Sequence, residues 1–153
     1  IMYPAMTTDL SINMPQQMVS PGFIRTLAAT SIVVMRRRVQ ERGRNLQDQQ
    51  MAPYAQMTRQ QRRKRGRQTA YRDLTDTGRM MGGIHVASVT RVGASGYQAT
   101  VGFSTAYARQ TGATHQERDP WFGLSRDDRR TLTAFVQQQL PIELRKQMDK
   151  RSQ

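Results

Sequence analysis

The chain has 153 residues, which fits one domain, and its 37% hydrophobic and 7% aromatic content implies a small core. The formal net charge of +13 indicates a polyanion or an acidic protein face as partner. It has no cysteine, no apolar run long enough to span a membrane and no signal-peptide pattern at its start, which argues against a disulfide scaffold, a thiolate site and a membrane protein.

The first predicted element is a long helix that follows an extended arm. Residues 1–19 are rich in Met, Pro, Gln and Thr, show no periodicity and offer no core of their own. Ser20 is a suitable N-cap with Pro21 at the first helical position, and Gly43 offers a left-handed cap at the other end. One apolar stripe at helical spacing joins them: Ile24, Leu27, Ala28, Ser31, Met35 and Val39.

A basic segment over residues 44–72 follows this helix. Between Arg36 and Arg72, twelve Lys or Arg residues face only Glu41 and Asp48. Pro53 disfavours a helix before about Tyr54, whereas a short helix over 56–65 is compatible with its Gln and Arg content. Tyr54 and Met57 are the only apolar anchors there, so we expect a long excursion, mobile or ordered by a partner.

Alternating side chains then predict two antiparallel strands, at about 84–92 and 97–103, with hairpin glycines in "VGASG" between them. The stretch "STAYARQTGATHQERDP" after the second strand is expected to be an exposed loop.

A C-terminal helix begins after Ser125, which forms a Ser-x-x-acid capping box with Asp128. Its inner face is given by Leu132, Phe135, Val136 and Leu140. Pro141 is expected to end or kink it, leaving 141–153 as a tail. The fold class is therefore α+β: a long N-terminal helix and a C-terminal helix on a small antiparallel sheet, in one domain over residues 20–140 with a long basic loop.

The only tryptophan, Trp121, stands with Phe122 and Leu124 just before the Ser125 cap. Apolar residues ahead of an N-cap commonly pack against their own domain, and here they would fasten the last helix to the hairpin. Alternatively, part of the aromatic pair Trp121 and Phe122 stays exposed as an interface anchor, because Trp and Arg are enriched at binding hot spots.

Signals for catalysis are weak. His85 and His115 are thirty residues apart, and His115 with Glu117 and Asp119 lacks the ligand spacing of a metal site. The stretch "GRMMGG" lacks the Lys-Ser/Thr of a nucleotide-binding loop. We therefore expect no enzyme, no cofactor and no small-molecule substrate; a nuclease or protease would need His115 and Glu117.

The cluster "RRKRGR" supports nucleic-acid binding through phosphates, without reading sequence, because no aromatic residues are interleaved for base stacking. Its candidate contacts to DNA or to an acidic partner are Arg62, Arg63, Lys64, Arg65 and Arg67.

Four segments in order resemble the tail completion (virion morphogenesis) family of Mu-like tailed bacteriophages, and the related tail-component family of long-tailed phages. They are "MAPYAQMTRQQRRKRGR", "DLTDTGRMMGGIHV", "VGFSTAYAR" and "RDPWFGLSRDDRR". The resemblance covers roughly residues 20–140. It implies a structural ring at the head–tail junction of a virion, six-fold by family, with connector, neck and tail-tube proteins as partners and with DNA in its channel. The ring could terminate the tail, join it to the connector, or do both.

Under this interpretation the candidate contacts between subunits or to partners are Trp121, Phe122, Leu124 and Tyr107. The alternative function is that of a nucleic-acid-binding accessory protein that binds duplex as a monomer.

Overall fold

The computed structural model of the chain describes residues 6–153 with the exception of 15, 17 and 95. Its elements are β1 (Thr7–Ile12), α1 (Pro21–Arg42), α2 (Gln56–Lys64), α3 (Arg79–Gly82), β2 (Ile84–Val92), β3 (Gly96–Phe103), α4 (Ala106–Arg118) and α5 (Arg126–Arg151). The strands form one antiparallel sheet in the order β1-β3-β2. The fold is α+β as predicted, with α1 and α5 packed on the sheet.

Helix α1 has the predicted ends for the predicted reasons. The Ser20 hydroxyl accepts a hydrogen bond from the Phe23 amide at 3.1 Å. Gly43 adopts a φ of +61°, and its N–H donates to the Val39 carbonyl at 2.9 Å. A Cβ at Gly43 would lie 2.7 Å from the Tyr71 ring, so the position needs glycine for space as well as for conformation. The predicted stripe is buried throughout.

The predicted hairpin is confirmed as β2 and β3, and β1 is a third strand that sequence analysis did not predict. β1 pairs with β3 from Thr7 opposite Gly102 to Ile12 opposite Tyr97. It belongs to the stretch interpreted as an arm, in which residues 1–5, 15 and 17 lie outside the described part. Alternation in β1 involves only Leu10 and Ile12, which is too short to stand out as a periodic pattern.

The expectation of an exposed loop after β3 is wrong, because residues 106–118 form α4. The Thr105 hydroxyl caps it by accepting from the Ala108 amide at 3.1 Å. Its buried residues are small, namely Ala108, Gly112 and Ala113. A Cβ at Gly112 would lie 2.8 Å from the Phe103 ring. The small residues let the Phe103 ring pack close to α4, so the helix lacks the large apolar side chains whose spacing would have predicted it.

Helix α5 does not end at Pro141 but continues to Arg151, so 141–153 is not a separate tail. Its capping box is as predicted: the Asp128 amide donates to the Ser125 hydroxyl, and the Ser125 amide donates to the Asp128 carboxylate, both at 3.1 Å. Beyond the proline, the buried Glu143 carboxylate accepts from the Ser20 amide at 3.1 Å and from its hydroxyl at 2.9 Å. This contact ties the second half of α5 to the start of α1 and offsets the hydrogen bond that proline removes.

Candidate functional site

Arg62, one of the predicted cationic contacts, is a structural anchor. Its side chain is buried in spite of its place in the most basic part of the chain. Nη2 donates to both carboxylate oxygens of Asp73 at 3.1 and 3.2 Å, Nη1 to the Thr75 carbonyl at 2.7 Å and Nε to the Gln68 carbonyl at 3.1 Å. Every nitrogen of the guanidinium is therefore engaged, and the prediction that Arg62 contacts DNA or a partner is wrong.

Tyr54 completes this anchor. Its ring lies 4.4 Å from the Arg62 guanidinium, and its hydroxyl donates to Asp73 at 2.7 Å. Burial, and then the Asp73 carboxylate, raise the pKa of Tyr54 to about 12, so it remains a donor at neutral pH. Met57, the other predicted apolar anchor, is instead 72% exposed. A buried ion pair therefore fixes α2 within the basic segment, and composition does not reveal this pair.

Arg65 and Arg67 share one carboxylate at the surface. Arg65 Nη1 lies 2.7 Å from an Asp76 oxygen, and Arg67 Nε lies 3.2 Å from the same oxygen. The Arg65 and Asp76 side chains are each about half exposed, so these pairs add little stability. They do neutralise part of the cluster, and Arg65 and Arg67 are weaker candidates for a polyanion contact than the sequence indicates.

The cations that remain available on α2 are Arg59, Arg63 and Lys64, here called the cationic face of α2. All three are exposed, and none forms an ion pair with a carboxylate among the residues that the structure describes. Arg59 and Arg63 are one helical turn apart and so project side by side. Arg62 is a neighbour of Arg59 on the helix surface, but its side chain is buried in the anchor, which holds α2 in place and leaves Arg59, Arg63 and Lys64 exposed.

Trp121 and Phe122 lie in the core, as expected if they fasten the last helix to the hairpin. Trp121 is 0% exposed, and its ring meets Phe103 and Phe122 edge-on at centroid distances of 6.2 and 5.5 Å. Its indole N–H donates to the Gly112 carbonyl at 3.2 Å. Neither ring is available to a partner of this folded chain, so the prediction of both as interface contacts is corrected.

Arg38, a buried cation that was not predicted from the sequence, holds the loop that carries the tryptophan. This fully buried side chain donates to the Asp128 carboxylate and to the Trp121 carbonyl, and to the Gly123 carbonyl at 3.1 Å. It therefore joins α1, the Trp121 loop and the first turn of α5. A signal was present: Arg38 stands seven residues after Ser31, on the buried stripe of α1.

Leu124 and Tyr107 are the predicted interface residues that reach the surface. Leu124 is half-buried against the cluster of Leu27 and Leu132 between α1 and α5. Tyr107 is 45% exposed on α4, with the Arg79 guanidinium 4.0 Å from its ring centroid. The two lie in different surroundings, and the structure does not bring them into one site with the cationic face of α2.

A groove runs along the outer edge of β1, between that strand and α5. Its volume is about 630 Å³. One wall consists of residues 8–12 of β1, and the other wall and floor are Leu27, Leu124, Arg129, Leu132, Thr133 and Val136. We call this the β1 groove. Apolar side chains dominate its floor. Strand β1 pairs with β3 on its inner side only, so its outer edge faces the groove.

The histidines form no recognisable chemical site. His115 Nδ1 lies 3.2 Å from Arg72 Nη2, and burial, followed by the charges of Arg72 and Arg118, lowers the pKa of His115 to about 4. His85 Nδ1 lies 3.1 Å from the Gly102 carbonyl oxygen. Among the described residues, no three His, Asp or Glu side chains are placed to hold a metal ion.

Within the same described ranges, no helix combines the length and the apolar character needed to cross a membrane. Comparisons with protein-family models, with curated proteins and with solved structures find no match to this chain.

Proposed function

We propose that this chain is a structural protein of a bacteriophage virion, which forms a ring at the head–tail junction and surrounds the DNA channel. In this role it joins the tail to the connector and makes or breaks no covalent bond. The family resemblance of the four sequence segments supports the location. The observation that carries the proposal is the cationic face of α2, which is exposed while Arg62 and Asp73 hold the helix in a fixed direction.

A group of exposed cations on an anchored helix suits a polyanion whose base sequence is not read. Arg59, Arg63 and Lys64 can each neutralise a backbone phosphate, and such contacts carry no sequence information. Copies arranged around an axis would repeat this group of cations at every subunit, so that a modest charge per chain becomes a ring of positive potential. DNA could then slide through the channel, since no contact is specific to one base.

The same cations favour a second candidate, a nucleic-acid-binding accessory protein that acts as a monomer. The two proposals differ in what the cations are needed for. In the ring, charge serves particle assembly and the contacts depend on neighbouring copies. In the accessory protein, an isolated chain binds duplex at physiological salt, and assembly of particles does not depend on it.

A triple variant, Arg59→Gln with Arg63→Gln and Lys64→Gln, tests the role of this face. The matched control removes three cations from exposed positions of α5: Arg145→Gln, Lys146→Gln and Lys150→Gln. If all three α2 cations touch duplex phosphates, the slope of log binding constant against log salt falls by about 2.7 in the α2 variant. The control retains the wild-type slope.

The functional measurement is complementation of a phage that lacks the gene. We expect unjoined heads and tails without the protein, wild-type chain in joined particles but not in free heads, and loss of joining with the α2 variant. A phage that assembles infectious particles without this chain would overturn the ring. Monomer binding that disappears in the α2 variant, together with normal joining, would support the accessory protein instead. Turnover abolished by His115→Gln and Glu117→Gln would overturn both.

A further inference from the structure

A pocket with a volume of about 210 Å³ lies between α2, the loop before α3, and α4. We call it the arginine pocket. Its lining includes Arg65 at the end of α2, Arg79 on α3 and His115 on α4. Arg62 also lines it, with its charge balanced by Asp73 in the anchor. Sites for drug-sized ligands typically have volumes of about 300–1,000 Å³, so this pocket has room for a small ligand only.

Positive charge exceeds negative charge at this pocket. Asp76 is the carboxylate in its lining, and Arg65 and Arg67 share it. Arg79 forms no ion pair with a carboxylate among the residues that the structure describes. The Tyr107 ring, whose centroid lies 4.0 Å from the Arg79 guanidinium, holds this group at the pocket without neutralising it. Three arginines thus face one carboxylate, which leaves two positive charges uncompensated.

Arg72 adds a third uncompensated charge beside the pocket. It is 6% exposed, its buried Nε has no hydrogen-bond partner among the described residues, and it forms no ion pair with a carboxylate there. Burial, and then the charge of Arg118, lowers the pKa of Arg72. Asp119 acts in the opposite sense, but its carboxylate accepts a hydrogen bond from the Asn45 side-chain amide at 3.0 Å. A buried charge without a partner costs free energy, which an anion in the neighbouring pocket would offset.

His115 connects Arg72 to the pocket, and this contact fixes the tautomer of the histidine. Arg72 Nη2 lies 3.2 Å from His115 Nδ1. A guanidinium can only donate, so Nδ1 accepts and the neutral ring carries its hydrogen on Nε2. The ring is neutral at pH 7, because burial, and then the charges of Arg72 and Arg118, lower the pKa of His115 to about 4. His115 therefore offers one N–H donor and no charge of its own.

We propose that the arginine pocket binds a phosphate group, held by the guanidinium groups of Arg65 and Arg79 and by His115 Nε2–H. These donors come from three different elements and so suit a tetrahedral anion, and a guanidinium matches two phosphate oxygens with paired N–H groups. The charge excess favours phosphate over carboxylate, since a phosphate monoester carries about −1.5 to −2 at pH 7. Two sources share this chemistry, free phosphate and the terminal phosphate of a DNA strand. The inference goes beyond the proposed function and does not depend on it.

Nuclear magnetic resonance of the histidine rings tests the site directly, because the chain has only two histidines. In saturating inorganic phosphate, the pKa of His115 should rise from about 4 to at least about 5, since a nearby negative charge favours the protonated ring. Sodium chloride at the same ionic strength should leave it unchanged. His85, which lies outside the pocket lining, is the internal control, and its resonances should not move when phosphate is added at constant pH. Equal effects of phosphate and chloride would overturn the inference.

A charge-removing variant measures the affinity. Arg79→Gln changes an exposed side chain, so the fold should be retained, as judged by circular dichroism. The dissociation constant for inorganic phosphate, measured by titration calorimetry, should rise at least about tenfold in this variant. The matched control is Arg109→Gln, which removes an exposed arginine of α4 outside the pocket lining and should leave the constant within about twofold of wild type. Equal effects of the two substitutions, or no phosphate binding by the wild-type chain, would overturn the site.

Two duplexes that differ only in a 5′-phosphate or a 5′-hydroxyl end separate the sources. Movement of the His115 resonances with the phosphorylated duplex alone would assign the pocket to a DNA end, and movement with inorganic phosphate but neither duplex would assign it to free phosphate. The triple α2 variant should keep the phosphate affinity of the pocket, and Arg79→Gln should keep the salt dependence of duplex binding. Failure of the pocket therefore leaves the cationic face of α2 standing, and the reverse also holds.

Discussion

Replacing Trp121 with alanine should cost about 4 kcal/mol of unfolding free energy. The side chain is fully buried, and truncation of such a tryptophan typically costs about 3–5 kcal/mol through lost burial and the cavity left behind. The substitution also removes the donor to the Gly112 carbonyl, at about 1 kcal/mol. Trp121→Phe keeps an aromatic ring against Phe103 and Phe122, so about 2 kcal/mol is expected and the variant should still fold.

The assay is urea denaturation followed by far-ultraviolet circular dichroism, because the variants lack the only tryptophan that fluorescence would follow. Tyr107→Ala is the matched control, since this aromatic side chain is 45% exposed and its loss should cost under about 1 kcal/mol. If Trp121→Ala unfolded within 1 kcal/mol of wild type and yet lost self-association, the tryptophan would be an interface anchor and the core described above would be wrong.

Two further predictions concern buried polar groups. Arg62→Gln leaves the buried Asp73 carboxylate without its cation and should lower the unfolding free energy by about 3 kcal/mol. Arg63→Gln, at the exposed neighbour, should change the unfolding free energy by less than about 0.5 kcal/mol. Equal effects of the two substitutions in urea denaturation would contradict the anchor. The pKa of His115 in the folded chain is about 4, below its value in the unfolded chain. As the pH drops, the unfolded chain therefore takes up the proton first. The unfolding free energy should fall by at most about 3 kcal/mol between about pH 6.5 and pH 4. His115→Gln should flatten this fall in denaturation curves measured across that range, and an unchanged pH profile would show that the histidine is not buried in its neutral form.

The sequence was most informative where local signals and packing agree. Both ends of α1, the hairpin of β2 and β3, and the capping box of α5 could be predicted because caps, glycines and alternation act within a few residues. Helix α4 could not be predicted, because its buried face is made of small residues, which allow Phe103 and Trp121 to pack closely against it. Strand β1 could not, because its partner β3 is about ninety residues away in the chain.

The candidate site was only partly predictable for a similar reason. Composition identifies the arginines of the basic segment but not their partners, so Arg62 and Arg63 look alike in the sequence although one is an anchor and the other is exposed. Arg38 shows the same limit on α1, where its partner Asp128 lies ninety residues further on. The aromatic pair at Trp121 and Phe122 was correctly associated with the start of α5, and only burial distinguishes the two alternatives left open for it.

The most direct measurement of the central proposal is electron cryomicroscopy of the head–tail junction in the assembled particle. We expect a closed ring of this chain at the junction, with the cationic face of α2 turned toward the DNA. A junction built without this chain, or a ring whose α2 helices lie on the outer surface away from the channel, would contradict it.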